Sequence, residues 1–136
     1  GVALVAACAG EPGAGRQAKA VSVSLDGART WSTHYPCGQA LICRSPIADG
    51  YLGSVVAISP RTFFLIGPRS PLLVTRDGGA SWTAASVGDG EGVPAETEFF
   101  DARHGIVLGR GATTGAIQIW HTADGARSWN AVTPRA

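Results

Sequence analysis

The chain has 136 residues, of which 45% are hydrophobic, and its mean hydropathy of +0.13 is that of a protein able to bury the core of one domain. Its 11 Lys and Arg residues against 10 Asp and Glu residues give a formal charge of +1 at pH 7. These values exclude a disordered tail and give no electrostatic basis for binding nucleic acid, so we expect no nucleic-acid partner.

Residues 1–19 differ in composition from the rest. They begin with an apolar, uncharged run of small residues, GVALVAACAG, which is too short to span a bilayer and suits the end of a signal peptide. Within it, Val5 to Cys8 resembles a bacterial lipobox, and the Gly- and Ala-rich stretch that follows is typical of a flexible tether. We therefore predict an exported protein, in the cell envelope or secreted, whose contact with a membrane is a lipid on Cys8. The alternative is an apolar strand with a buried, free Cys8.

The first of three related stretches follows. SLDGARTW (24–31) lies between the β-prone segments AVSVS (20–24) and WSTHY (31–35), which predicts a hairpin. Behind it, Cys37 and Cys43 are separated by five residues, and in an oxidising compartment they could close a disulfide loop that contributes about 2 kcal/mol. These two cysteines and the distant His34 fall short of a four-ligand zinc site, so no metal is expected here.

The stretch recurs twice, as TRDGGASW (75–82) and TADGARSW (122–129). Asp26 and Asp77 are 51 positions apart and Asp77 and Asp124 are 47 apart, a period typical of four-stranded propeller blades. Two complete sets of strands are predicted at 54–59, 62–67, 71–75 and 82–87, and at 97–101, 104–109, 116–122 and 129–133. The segment GDGEGVPAETE (88–98) is interpreted as the connector between blades, and its Asp89 and Glu91 lack the spacing of a calcium loop. We predict an all-β fold in residues 20–136, an incomplete propeller of about two and a half four-stranded antiparallel blades.

The repeated stretch has a physical explanation as a turn. Its Asp can accept hydrogen bonds from N–H groups ahead of it, the following Gly can adopt positive φ, the Ser or Thr can bond across the turn, and the Trp can pack over the hairpin. The predicted structural residues are Ser24, Asp26, Gly27 and Trp31 in the first turn, Thr75, Asp77, Gly79 and Trp82 in the second, and Thr122, Asp124, Gly125 and Trp129 in the third. When the three turns are aligned, His121 takes the column of Val23 and Val74 and is predicted to be partly buried, and Trp120 is predicted to pack in the core.

TRDGGASW resembles the Asp-box, or BNR, repeat S/T-x-D-x-G-x-T/S-W at every specified position, and the other two copies depart in having Ala28 and Ala126 at the later Gly. FFDARHGIVLG (99–109) is similar to the blade opening of the BNR-like photosystem II assembly and stability factors. The family resemblance implies a β-propeller whose boxes lie on the outside, away from any catalytic centre, so that the three Asp residues are structural.

Sialidases are among the Asp-box propellers, which makes a glycoside hydrolase the alternative function. Such a site needs an Arg cluster, a Tyr nucleophile with an adjacent Glu, and an Asp acid/base. Tyr35 and Tyr51 are the only tyrosines, and neither has a Glu nearby in the sequence. We therefore expect no catalytic residue and no cofactor in this segment, and a binding or assembly scaffold for an unidentified protein or glycan. In the alternative, the catalytic residues lie outside it.

Overall fold

The computed structural model describes residues 4–10, 14–36, 46–87, 92–111 and 115–132, and within these ranges every regular element except one short 3₁₀ helix is a β-strand. The strands form three antiparallel sheets, each made from one continuous part of the chain. In the same ranges, no helix has the length and apolar character needed to cross a membrane.

The three sheets repeat one pattern. The first contains β1 (Leu4–Ala9), β2 (Lys19–Ser24) and β3 (Ser32–His34); the second contains β4 (Ser54–Ala57), β5 (Phe63–Ile66), β6 (Leu72–Thr75) and β7 (Thr83–Ala85); the third contains β8 (Gly92–Phe99), β9 (Gly105–Gly111), β10 (Ile117–Thr122) and β11 (Asn130–Val132). Neighbours in sequence pair within each sheet, and the 3₁₀ helix Pro46–Ala48 lies between the first sheet and the second. The strands β2, β6 and β10 each lead into an Asp-Gly turn and are therefore equivalent in the three sheets. The strand that precedes each of them is equivalent too, so β1 corresponds to β5 and β9.

The second sheet is buried on both faces, which explains why β5 and β6 are continuous apolar runs. Successive side chains of β5 alternate between the two faces, so that Phe63 and Leu65 join one cluster while Phe64 and Ile66 join another. The first cluster includes Val21, Val23, Ile47, Leu73 and Trp82, and the second includes Leu72, Val74, Val107 and Trp120. One core therefore separates the first and second sheets, and another separates the second and third.

Successive antiparallel sheets that pack face to face, each made from one continuous part of the chain, are the arrangement of propeller blades. The second and third blades have the predicted four antiparallel strands, and the Phe64 ring stacks on Phe99 with ring centroids 4.7 Å apart across the blade interface. The molecule is a partial β-propeller of all-β structure, as the repeat period predicted.

The first blade begins earlier than residue 20, the boundary expected from the sequence. β1 pairs with β2 from Leu4 opposite Ser24 to Ala9 opposite Lys19, and its Val5 and Ala7 pack against the first core. These residues are in the sheet because alternate positions of the apolar run can be buried against the second blade. Cys8 is a free thiol and is exposed, in contrast to the buried cysteine of the alternative interpretation. Its lipidation stays a prediction.

Lys19, the only lysine, ties β2 to the connection between the first two blades. Its buried ammonium group donates to the carbonyl oxygens of Ile47 at 2.7 Å and Gly50 at 3.1 Å, with longer bonds to those of Gln17 and Asp49. Burial lowers the pKa of Lys19 from 10.5 to about 8, against the opposing effect of the Asp49 carboxylate. The carbonyl partners supply the hydrogen bonds that a buried cation requires.

Two expectations for the third blade are wrong. The segment interpreted as a connector contains most of β8, which pairs with β9 from Gly92 onward and accommodates its proline through a register shift between Pro94 and Glu96. His121 is exposed rather than partly buried, because no described element covers that face of β10. Trp120 is buried against the second blade, as predicted.

Some predicted residues cannot be placed. Cys37, Cys43, Asp89 and Glu91 lie outside the described residues. The disulfide between the two cysteines therefore stays a prediction.

Candidate functional site

The Asp77 side chain organises the turn between β6 and β7. One carboxylate oxygen accepts hydrogen bonds from the Ser81 N–H at 2.9 Å and the Thr75 hydroxyl at 2.8 Å, and the other accepts from the Ser81 hydroxyl at 2.5 Å. The Thr75 hydroxyl oxygen in turn accepts the Gly79 N–H at 2.9 Å, and Gly78 and Gly79 both have positive φ. Residues 75–82 thus form a turn that is held by hydrogen bonds among its own side chains and backbone N–H groups.

The first and third turns have the same bonds. Asp26 accepts from the Thr30 N–H at 2.9 Å and the Thr30 hydroxyl at 2.6 Å, and Ser24 bridges Asp26 to Ala28 N. In the third turn the corresponding partners are Thr122, Asp124, Ala126 and Ser128, with distances of 2.6 to 2.9 Å. Gly27 and Gly125 have positive φ, and so do the two alanines that replace the later Gly, at +71° for Ala28 and +63° for Ala126.

These hydrogen bonds fix the charge of the three carboxylates. The pKa of Asp77 is lowered from 3.8 to about 2, first by the bond from the Ser81 hydroxyl and then by that from the Ser81 N–H. The Thr30 hydroxyl likewise lowers the pKa of Asp26 to about 2, and the Ser128 hydroxyl lowers the pKa of Asp124. Groups that are ionised far below neutral pH and occupied inside their own turns are poorly suited to proton transfer.

The three turn tryptophans have different surroundings. Trp82 is 5% exposed in the first core and donates its indole N–H to the Gly79 carbonyl oxygen at 3.1 Å. Trp129 is half-buried and makes an edge contact with Phe99 at 6.2 Å between ring centroids. Trp31 is 46% exposed, since no described blade precedes the first. Trp129 also packs against the second core, so the tryptophan of each later turn contacts the core that its blade shares with the blade before it.

A second turn supports each of the later Asp-Gly turns and was not recognised from the sequence. The Gly78 N–H donates to the Arg61 carbonyl oxygen, and the Gly125 N–H donates to the Arg103 carbonyl oxygen, both at 2.9 Å. The Arg61 turn is held by the Ser59 hydroxyl and the Arg103 turn by the Asp101 carboxylate. The available signal was the pair of segments SPRT (59–62) and DARH (101–104), each a hydrogen-bonding side chain two residues before an Arg.

A cleft separates the turns of the first two blades. We call it the first interblade cleft; it has a volume of about 510 Å³ and is lined by Val23, Leu25, Thr30, Trp31, Ser32 and His34 from the first blade and Pro60, Arg61, Asp77 and Gly78 from the second. A smaller depression of about 210 Å³ lies on the second blade alone and is lined by Val74, Arg76, Asp77, Ser81 and Thr83. Four of these residues take the positions in the second blade that Val23, Leu25, Thr30 and Ser32 take in the first.

Arg76 joins the second turn to the third. Its guanidinium reaches the third turn and donates to the Gly125 carbonyl oxygen at 3.4 Å. Partial burial, and next the positive charge of Arg127, lower the pKa of Arg76, while Asp124 acts in the opposite direction. Leu25 occupies the corresponding position in the first blade, and it is 63% exposed.

The described ranges contain no group of three or more His, Cys, Asp or Glu side chains arranged to hold a metal ion. His104 and Asp101 form an exposed pair at 2.8 Å, and the His104 side chain is the main cause of the lowering of the Asp101 pKa to about 2.

No protein-family model and no curated protein matches the chain. A solved structure of YCF48 bound to D1 peptide is similar in fold, with a TM-score of 0.53 and 20% sequence identity. The similarity covers 89% of this chain and 37% of the YCF48 chain, so this chain spans little more than a third of the length of that protein. At this level of identity the likeness shows the fold, a partial β-propeller.

Proposed function

We propose that this partial β-propeller is of the Asp-box type and acts as a non-catalytic binding or assembly scaffold, which receives a peptide segment of a partner protein. The proposal is supported by the hydrogen bonds of the repeated Asp side chains. The carboxylates of Asp26, Asp77 and Asp124 each accept hydrogen bonds inside their own turn, so they serve to hold the hairpins rigid.

Rigid hairpins at the ends of packed blades favour recognition, because a site held in one geometry loses little conformational entropy when a ligand binds. The first interblade cleft, with a volume of about 510 Å³, falls within the range of ligand sites, which is roughly 300–1,000 Å³. YCF48, the similar propeller, was solved with a peptide bound. Binding of that peptide is a property of YCF48, and peptide binding by this chain is our proposal.

We further propose export to the cell envelope with lipid on Cys8. Its structural consequence is definite: processing before Cys8 would remove residues 4–7 of β1, leaving two residues of that strand beside β2. Metabolic labelling with an alkyne fatty acid in a bacterial host, followed by mass spectrometry of the N-terminus, tests this. A label that persists in the Cys8→Ser variant contradicts the proposal.

The scaffold function is tested by selecting random dodecapeptides displayed on phage against the purified chain and measuring the affinity of synthetic copies by calorimetry. We expect saturable binding with a Kd on the order of micromolar, about −8 kcal/mol. The same preparation is assayed on fluorogenic glycosides, including a sialoside. Turnover of any of them at a rate proportional to protein concentration would instead support the glycoside hydrolase.

A further inference from the structure

One side chain distinguishes the junction of the first two turns from the junction of the second and third. Arg76 reaches the third turn and donates to the Gly125 carbonyl oxygen, whereas Leu25 at the same position of the first blade has no polar group with which to reach Gly78. The first two turns therefore lack this bond, and the first interblade cleft of about 510 Å³ lies between them.

Three polar side chains of the first interblade cleft have no hydrogen-bond partner. Within the described residues, the Arg61 guanidinium, the His34 imidazole and the Trp31 indole N–H make no hydrogen bond or ion pair. The carboxylate of Asp77, which also borders the cleft, is already bonded to Thr75 and Ser81. The cleft therefore lacks a free carboxylate and presents a guanidinium, the group best suited to bind a carboxylate through two parallel hydrogen bonds.

Apolar side chains lie beside these donors. Leu25 and Trp31 are 63% and 46% exposed, and Pro60 is exposed on the opposite wall. Exposed aromatic and aliphatic groups next to an Arg are the composition of the energetically important part of a protein interface.

We propose that the first interblade cleft binds a peptide segment carrying a carboxylate next to an apolar side chain, with Arg61 on the carboxylate and Leu25 and Trp31 on the apolar group. This inference rests on the scaffold function and names the site and the partner chemistry for it. The Arg61 backbone is held by the Gly78 N–H and by the Ser59 turn, so its side chain starts from a fixed position.

The test uses fluorescence anisotropy with a fluorescein-labelled, N-acetylated and C-amidated nonapeptide that repeats Leu-Glu-Ser, and its counterpart that repeats Leu-Gln-Ser. We expect the wild-type chain to bind the glutamate peptide at least about tenfold more tightly than the glutamine peptide. Leu25→Arg, which copies Arg76 and removes the apolar side chain from the cleft, and Arg61→Gln should each weaken binding of the glutamate peptide about tenfold or more.

The chain provides matched controls. Arg103 holds the position of Arg61 in the third blade, so Arg103→Gln should bind like the wild type. Leu25→Ala removes the same side chain as Leu25→Arg without placing a guanidinium in the cleft, and it should weaken binding less. Circular dichroism and the urea midpoint of each variant separate loss of binding from loss of folding.

Three results would overturn the proposal. They are no binding of the glutamate peptide by the wild type, equal binding by wild type and Leu25→Arg, and binding of a hyaluronan tetrasaccharide that Leu25→Arg abolishes, which would assign the cleft to acidic glycans. The scaffold function fails separately: phage-selected peptides that bind wild type and Leu25→Arg equally would preserve it and place the peptide site elsewhere.

Discussion

At the scale of the residue, each Asp-Gly turn concentrates its hydrogen bonds on one carboxylate and one hydroxyl. The arrangement in the second turn involves Thr75, Asp77, Gly79 and Ser81 only, so it does not depend on another blade. In the first and third turns an alanine is held in the left-handed region, a conformation that costs an L-residue roughly 1 kcal/mol. In the first and third turns, the strain of the alanine backbone therefore offsets part of the stability that the side-chain hydrogen bonds provide.

Asp77→Ala removes three hydrogen bonds to a largely exposed carboxylate. We expect the free energy of unfolding at pH 7 to fall by about 1 kcal/mol, because solvent screens such bonds. The folded pKa of about 2 lies below the unfolded value of 3.8, so this stabilisation is present above pH 3.8 and is lost as the pH falls through 2. Urea denaturation at several pH values measures it.

The control for that variant is Glu98→Ala, which removes an exposed carboxylate from β8 and should change the free energy of unfolding by less than about 0.5 kcal/mol. A difference between Asp77→Ala and wild type that stays constant from pH 7 to below pH 2 would contradict the role assigned to the carboxylate.

Ala28→Gly should stabilise the protein by about 0.5 kcal/mol or more, because Gly adopts a φ of +71° without the steric cost that Ala incurs. Denaturant unfolding followed by tryptophan fluorescence measures the gain. Ala80→Gly is the matched control, since Ala80 lies in the second turn without positive φ and its replacement should give no gain. Equal effects at the two positions would mean that Ala28 is not strained.

At the scale of the element, a hairpin is completed by the blade that precedes it. Trp82 fills the core between the first and second blades, and Trp129 packs against the second core, while Trp31 has neither environment. The same eight-residue pattern therefore produces a buried anchor in one blade and an exposed indole in another. Burial is a property of the blade interface rather than of the motif.

Trp82→Ala should lower the free energy of unfolding by about 3–5 kcal/mol, the cost of removing a large buried side chain from a core. Trp31→Ala, the equivalent change in the first turn, should cost less than half as much because the indole is 46% exposed. Urea unfolding of both variants gives the comparison. Similar losses would show that the turn itself, rather than the blade interface, supplies the stabilisation by tryptophan.

At the scale of the whole molecule, no described part of the chain covers the outer face of the third blade. Ile106 and Leu108 of the third blade correspond in register to Phe64 and Ile66 of the second, which the third blade buries. On this outer face Ile117 is 68% exposed and Val132 is 40% exposed. An apolar sheet face of this kind promotes association in water.

The 136-residue chain by itself should therefore self-associate with increasing concentration, and Ile117→Lys should reduce this association. Gln118→Lys adds the same charge to the other face of β10 and serves as the control. Sedimentation velocity over a hundredfold range of concentration measures the effect. A chain that stays monomeric throughout, or two variants that behave alike, would contradict the assignment of the association to this face.

The sequence by itself determined the turns and the repeat of the second and third blades and, apart from most of β8, their strands. These features rest on interactions within about eight residues or on alternation along one strand, such as the bonds of Asp77 and the apolar runs of β5 and β6, and local patterns encode them. The predicted fold is confirmed for this reason.

What only the tertiary structure decided depends on contacts between blades. It placed β1 in the first sheet, buried Lys19 among carbonyl groups, exposed His121 and left Trp31 uncovered, because each outcome depends on whether a distant part of the chain lies against that residue. It also formed the first interblade cleft and the bond from Arg76 to the third turn, since both depend on where the neighbouring turn lies. A repeat in the sequence specifies equivalent positions, and the packing around each copy gives those positions different surroundings.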